Sequence, residues 1–78
     1  MREKQLRVVI AFPTTTDAMA LEAYCAEHSV PGRIIPLPPI IFAGCGLCWS
    51  APRQAKPQVL EAVEQAAVRT AGIYEMML

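Results

Sequence analysis

The sequence carries no excess of charge: seven Lys and Arg side chains balance seven Asp and Glu, and the basic residues are scattered along the chain. A protein that neutralises phosphates normally gathers Lys and Arg on one face, so no nucleic-acid partner is expected. A long apolar run is missing too. The longest uncharged stretch, residues 34–52, is broken by Pro36, Pro38 and Pro39 and so does not read as a spanning helix. No signal peptide is evident, because Arg2, Glu3 and Lys4 lead directly into a short strand-like segment. The protein is therefore expected to be soluble and cytoplasmic, with no membrane partner. Histidine occurs once, as His28. No carboxylate pair, phosphate-cradling loop or Ser-His-Asp set is present, so the residues do not add up to a self-sufficient enzyme and no cofactor is expected. The cysteines number three. An odd count without an export signal speaks against a secreted disulfide scaffold and for thiols in a reducing compartment.

Apolar side chains are abundant. They make up 54% of the 78 residues, against roughly 45–50% in an average domain. A chain this short buries only about 60% of its unfolded surface, so the excess implies a dense core, surface reserved for a partner, or both. One domain spanning residues 1–78 is expected.

Residues 6–12 are β-branched and apolar on both faces after Arg7, which fits a central strand ended by Pro13. Thr14, Thr15, Thr16 and Asp17 then offer helix-opening chemistry. Thr14 with Asp17 has capping-box spacing, Thr16 is a second cap candidate, and Asp17 suits the positive end of a helix dipole. Ala18, Leu21, Tyr24 and Cys25 recur at helical spacing to about His28, before Pro31 and Gly32. Residues 32–37 read as a second strand, placed at an edge by Pro36. Residues 38–46 read as a loop and 47–51 as a short third strand. A second helix opens at Lys56 and Pro57, carries Val59, Leu60, Val63, Ala66 and Ala67 on its apolar face, and is expected to close at Gly72. Residues 73–78 form a last strand. The order β-α-β-β-α-β predicts an α+β, ferredoxin-like fold: a four-stranded antiparallel sheet with two helices on one face. That topology places the turn between the second and third strands at the same end as the start of the first helix.

The residues that can carry chemistry lie in that turn. Cys45 and Cys48 form a C-x-x-C whose spacing lets two sulfurs meet in a tight turn, as a disulfide or around a metal. Gly44 and Gly46 on either side of Cys45 permit a left-handed backbone and close approach by a partner. Structural zinc wants four ligands, and only Cys25 and His28 remain besides this pair, so no metal site is expected. Cys25 falls in the apolar stripe of the first helix, and His28 suits the negative end of that helix. Trp49 is expected to pack. No Lys, Arg or His stands within three residues of Cys45. The nearest positive potential is then the helix N-terminus, so Thr14, Thr15, Thr16 and Asp17 are expected to frame Cys45, with the charge of Asp17 working partly against its thiolate.

These features resemble a family of small bacterial selenium/sulfur carrier-like proteins over nearly the full chain. The shared elements are a strand followed by a polar turn into a helix, a Pro-x-Pro element (Pro36-Leu37-Pro38), and a Cys-Gly pair seven residues after the second proline (Cys45-Gly46). The resemblance implies a ferredoxin-like fold and a cysteine, Cys45 by position, that carries sulfur or selenium. It also implies a donor or acceptor enzyme as partner. The chain departs from the pattern in having Phe42, Ala43 and Gly44 where serines usually precede the cysteine, and Pro39 where an arginine often stands. Cys48 is additional. It inherits no family role and fits a resolving thiol that would form a Cys45–Cys48 disulfide. Ile40, Ile41 and Phe42 offer a docking surface.

Two readings compete with a carrier. One is a non-catalytic homodimer built through the uncovered sheet face, with structural or metal-clipping cysteines. The other is a C-x-x-C redox module.

Overall fold

A computed structural model describes residues 4–42 and 44–78; residues 1–3 and Ala43 lie outside the described residues. Strand β1 is Leu6–Ala11, helix α1 Thr15–His28, strand β2 Arg33–Pro36 and strand β3 Leu47–Pro52. A 3-10 turn at Arg53–Ala55 leads into helix α2, Lys56–Gln65, and strand β4 is Gly72–Met77. The sheet order is β2-β3-β1-β4, and every neighbouring pair is antiparallel. This is the ferredoxin-like βαββαβ arrangement that the element order predicts.

Strand period decides which side chain meets the helices. Val8, Ile10 and Phe12 of the first strand and its end, with Trp49 and Ala51 of β3, pack against Ala18, Leu21 and Cys25 of α1 and Val59 and Ala62 of α2. Fully burying side chains such as Phe12, Ile10 and Leu21 contributes about 1.5–3 kcal/mol each. The odd positions Val9 and Ala11 point to the other face, where they cluster with Cys48 and Ile41.

That second face is not left bare. Val9, Ala11 and Cys48 are fully buried, although no helix covers them. The β2–β3 loop does so: its Ile41 amide closes a turn onto the Pro38 carbonyl, and the Ile41 side chain plugs the cluster, with Ile35, Leu37, Tyr74 and Met76 around it. The expectation of an open apolar face thus needs correcting over its upper half, because the loop folds back as a lid for its own sheet.

Both helices differ in detail from the sequence pattern. The first begins at Thr15 with Thr14 as its cap, which settles the choice between Thr14 and Thr16. The second stops at Gln65, well before Gly72. Its end is set by hydrogen bonding rather than by glycine. Ala67 donates to the Glu64 carbonyl and Val68 to that of Val63, the Schellman pattern, with Ala67 itself left-handed at φ 54°. Gly72 instead opens β4, paired with Ala11. An L side chain in the left-handed region costs about 1–2 kcal/mol, so Ala67→Gly is expected to raise stability by up to about 1 kcal/mol after the entropy penalty of glycine. Chemical denaturation of the two proteins reads this directly; equal midpoints would refute it.

Candidate functional site

One end of the sheet gathers three loops, and the last residues of the first strand organise them. The Ala11 carbonyl accepts from the Ala71 amide at 2.7 Å, holding the α2–β4 loop. The Phe12 carbonyl accepts from the Cys45 amide at 2.8 Å, holding the cysteine loop. Gly46 is tied on the other side, its carbonyl accepting from the Leu37 amide at 2.9 Å. Residues 44–46 therefore span from the end of β2 to the end of β1, across the top of β3.

Glycine at position 44 follows from this geometry. Its φ is +88°, and a Cβ there would collide with the Phe12 carbonyl oxygen. Gly46 is also left-handed, at φ +93°, but opens onto free space. Cys45 sits between the two glycines, half-buried, with its side chain against the helix-side core.

All three thiols are free, and their surroundings differ. Cys25 lies inside the helix-side core, and burial pushes its thiol pKa up. Cys48 is fully buried on the opposite sheet face, across from Ile35 and Ala11. Burial first, and then a negative charge on Cys45, push the Cys48 thiol up. Cys45 is the one thiol of the three that is not fully enclosed.

The start of α1 lies at the same end as Cys45, as the topology predicts. Thr14 caps the helix, accepting from the Asp17 amide at 3.2 Å and donating its hydroxyl proton to Asp17 Oδ2 at 2.6 Å. Thr15 and Thr16 are exposed in the first turn. Asp17 also accepts from the backbone amide and the guanidinium of Arg69, each at 3.3 Å. Its charge is thus engaged by a partner 52 residues away that local sequence does not advertise. The Thr14 hydroxyl, then the Arg69 amide and charge, hold the Asp17 carboxyl below its ordinary range against the opposing effect of burial.

Because folding lowers this pKa, its stabilisation is fully present above the ordinary aspartate value, near pH 4, and is lost as pH falls through the lower folded value. Glu75 follows the same sign, lowered by Lys56 first and Arg53 second. Asp17→Asn is therefore expected to be less stable than wild type at neutral pH, with the gap closing in strong acid. Thermal melts across that range test it; a gap independent of pH would show that the carboxylate charge is not what matters.

The remaining candidates are placed as packing groups. Trp49 lies in the helix-side core, on the opposite sheet face from Cys48, with its ring against Gly32. His28 is exposed in the last turn of α1, its ring 3.9 Å from that of Tyr24. Among the described residues, no group of three or more His, Cys, Asp or Glu side chains is placed to hold a metal ion. No helix among them is long and apolar enough to cross a membrane. The apolar tripeptide 40–42 divides: Ile41 is buried in the lid, while Ile40 is 76% and Phe42 94% exposed. Of the three, only the two flanking side chains are available to a partner.

The family described as "Putative Se/S carrier protein-like" matches residues 7–75 of the chain. No curated protein and no solved structure matches. The chain belongs to this Se/S carrier-like family.

Proposed function

We propose that this member of the Se/S carrier-like family bears its cargo on Cys45, as a persulfide or its selenium counterpart. One observation carries the reading. Of three thiols, two are buried on opposite faces of the sheet, and the third is presented between two glycines on a loop tied to the central strand. The exposed Ile40 and Phe42 on the same loop supply apolar contact for a donor or acceptor enzyme.

Loading is an exchange of one sulfur–sulfur bond for another. The Cys45 thiolate attacks the terminal sulfur of a donor enzyme's persulfide. The new bond forms at Cys45 Sγ, and the donor's cysteine leaves as its thiolate. Delivery repeats the step with the acceptor's nucleophile attacking that terminal sulfur. Cys48 acts differently. Its thiolate, attacking Cys45 Sγ, would expel the cargo as hydrosulfide and leave a Cys45–Cys48 disulfide, which a dithiol reductant then reopens. Burial of Cys48, its raised pKa and the placement of the two thiols on opposite faces of the sheet hold that discharge in check.

The test is intact mass after reduced protein is incubated with a cysteine desulfurase and cysteine. One sulfur is expected on wild type and on Cys48→Ser, and none on Cys45→Ser. Absence of added sulfur on wild type, or its appearance on Cys45→Ser, would overturn the assignment.

A homodimer remains the second reading, on a surface other than the lid-covered face. Leu6, Ile73, Met77 and Leu78 are exposed about the β4 edge, where a second copy would cover them. A solution mass at twice the monomer supports this, and a monomeric mass at high concentration removes it.

A further inference from the structure

Among the described residues the sheet ends in two edge strands, β2 and β4. An edge strand presents a row of unpaired amides and carbonyls, and proteins blunt such edges with short length, proline or basic side chains. The β2 edge is blunted in this way. It is four residues long, opens on Arg33 and ends on Pro36. The β4 edge is not. Its six residues, Gly72–Met77, include no Pro, Lys or Arg, and its one charged side chain, Glu75, is paired within the chain by Arg53 and Lys56.

The hydrogen-bond phase of β4 decides which residues serve that edge. Gln5 and Leu78 exchange both backbone hydrogen bonds, each at 3.0 Å. Bonded and non-bonded pairs alternate along an antiparallel ladder, and Leu6 stands opposite Met77, Arg7 opposite Met76. Tyr74 and Met76 therefore turn their amides and carbonyls towards β1, while Ile73, Glu75 and Met77 turn theirs to the open edge. The side chains of these same three residues share the helix-side face, opposite Ile10, Val8 and Leu6. Ile73 and Met77 are nonetheless exposed. Tyr74 and Met76, on the other face, pack against the lid cluster. The free backbone groups and the uncovered apolar side chains thus belong to one set of residues, and Ile73 and Met77 stand two positions either side of Glu75.

We propose that β4 pairs antiparallel with β4 of a second copy about a two-fold axis at Glu75, joining the two sheets into one. Directional backbone groups call for an extended strand as occupant, and the symmetric spacing about Glu75 makes that strand self-complementary. In this register Ile73 faces the partner's Met77, and Met77 the partner's Ile73. Ile73, Glu75 and Met77 each exchange both of their outward hydrogen bonds. A shift of two residues would instead set Ile73 against a carboxylate. The two Glu75 side chains can meet at the axis because each arrives with its own cations, Arg53 and Lys56. The Gly72 end of β4 lies at the Cys45 end of the sheet, since Gly72 pairs with Ala11 and the Cys45 amide donates to Phe12. Antiparallel pairing therefore sends the two Cys45 loops to opposite ends of the joined sheet, each open to its own partner enzyme. This pairing rests on the homodimer reading and is independent of cargo loading.

Sedimentation equilibrium of the reduced full-length chain, over a range of concentrations, tests it. Wild type is expected to sediment at twice the monomer mass. Ile73→Lys and Met77→Glu, each of which replaces both symmetry-related apolar pairs, are expected to weaken association about tenfold or more. The double variant Ile73→Lys with Met77→Glu is expected to recover the dimer, because only in this register does each new lysine meet a glutamate of the other copy. Both positions are exposed, so the variants retain the fold, and wild-type-like circular dichroism verifies this. Cys45 takes up sulfur equally in all of them. A monomeric wild type would overturn the pairing together with the homodimer reading, and leave the edge to a strand of a different protein. A dimer that both single variants leave intact would overturn the pairing alone, placing the interface elsewhere. Dimerisation lost in the single variants and not recovered in the double variant would overturn the Glu75-centred register.

Discussion

Gly44→Ala is expected to destabilise the protein by about 2–5 kcal/mol, whereas Gly46→Ala costs about 1–2 kcal/mol. The two glycines flank the same cysteine, and both have positive φ, so the conformational penalty for a Cβ is common to them. What separates them is the space each faces. At Gly44 the new methyl would overlap the Phe12 carbonyl oxygen, whereas at Gly46 nothing lies within 4 Å. The obstructing atom is backbone at the end of the central strand, and it also accepts from the Cys45 amide, so it cannot yield without breaking that bond. A domain of this size has roughly 4–12 kcal/mol of stability in all. Gly44→Ala should therefore lower the melting temperature by roughly 10 °C or more, and Gly46→Ala by clearly less. Matching thermal melts for the two variants would mean that the loop is not seated on the strand as described.

The element order is legible in the sequence because Pro13, Pro31-Gly32 and Lys56-Pro57 punctuate the β-branched and helix-forming runs, and the topology alone brings Cys45 to the start of α1. Other features lie beyond that reading, each for a physical reason. Arg69 reaches Asp17 across 52 residues, and no local pattern marks a salt bridge between the first turn of α1 and the α2–β4 loop. The lid is hidden because Ile40, Ile41 and Phe42 are equally apolar, and only the turn closed by Ile41 onto Pro38 decides which one faces inwards. The end of α2 escapes a search for glycine because Ala67 takes the left-handed position. Lys4, Arg7 and Arg33 look scattered because they reach one sheet face from separate segments, Arg7 from β1 and Arg33 from β2. Cys45 itself is legible through its flanking glycines and its spacing from Pro38. Its placement on the other side of the sheet from Cys48 is not, since a C-x-x-C at the start of a strand puts its two sulfurs on whichever faces the turn dictates.

That separation gives the second large effect. Under native conditions Cys45 is expected to be alkylated at least about a thousandfold faster than Cys25, with Cys48 between them. Cys45 is partly exposed and needs no opening. Cys25 is enclosed by both helices and the sheet, so reagent reaches it only through near-global unfolding. Cys48 is equally buried, but its cover on the helix-free face includes the β2–β3 lid, and lifting that lid leaves the helix-side core intact. Only the thiolate reacts, so the raised pKa of Cys48 slows it further. Ile41→Ala, which trims the plug, should speed Cys48 far more than Cys25. Mass-resolved alkylation of wild type and Ile41→Ala, with the sites assigned by peptide mapping, reads all three rates. Equal slow rates for Cys45 and Cys25 would remove the accessible thiol on which loading depends. Parallel acceleration of Cys48 and Cys25 in Ile41→Ala would mean that the lid does not open separately from the fold. If Cys48 alone responds, the lid opens the helix-free face and its thiol without loosening the helix-side core, so the two buried thiols lie under two separate covers.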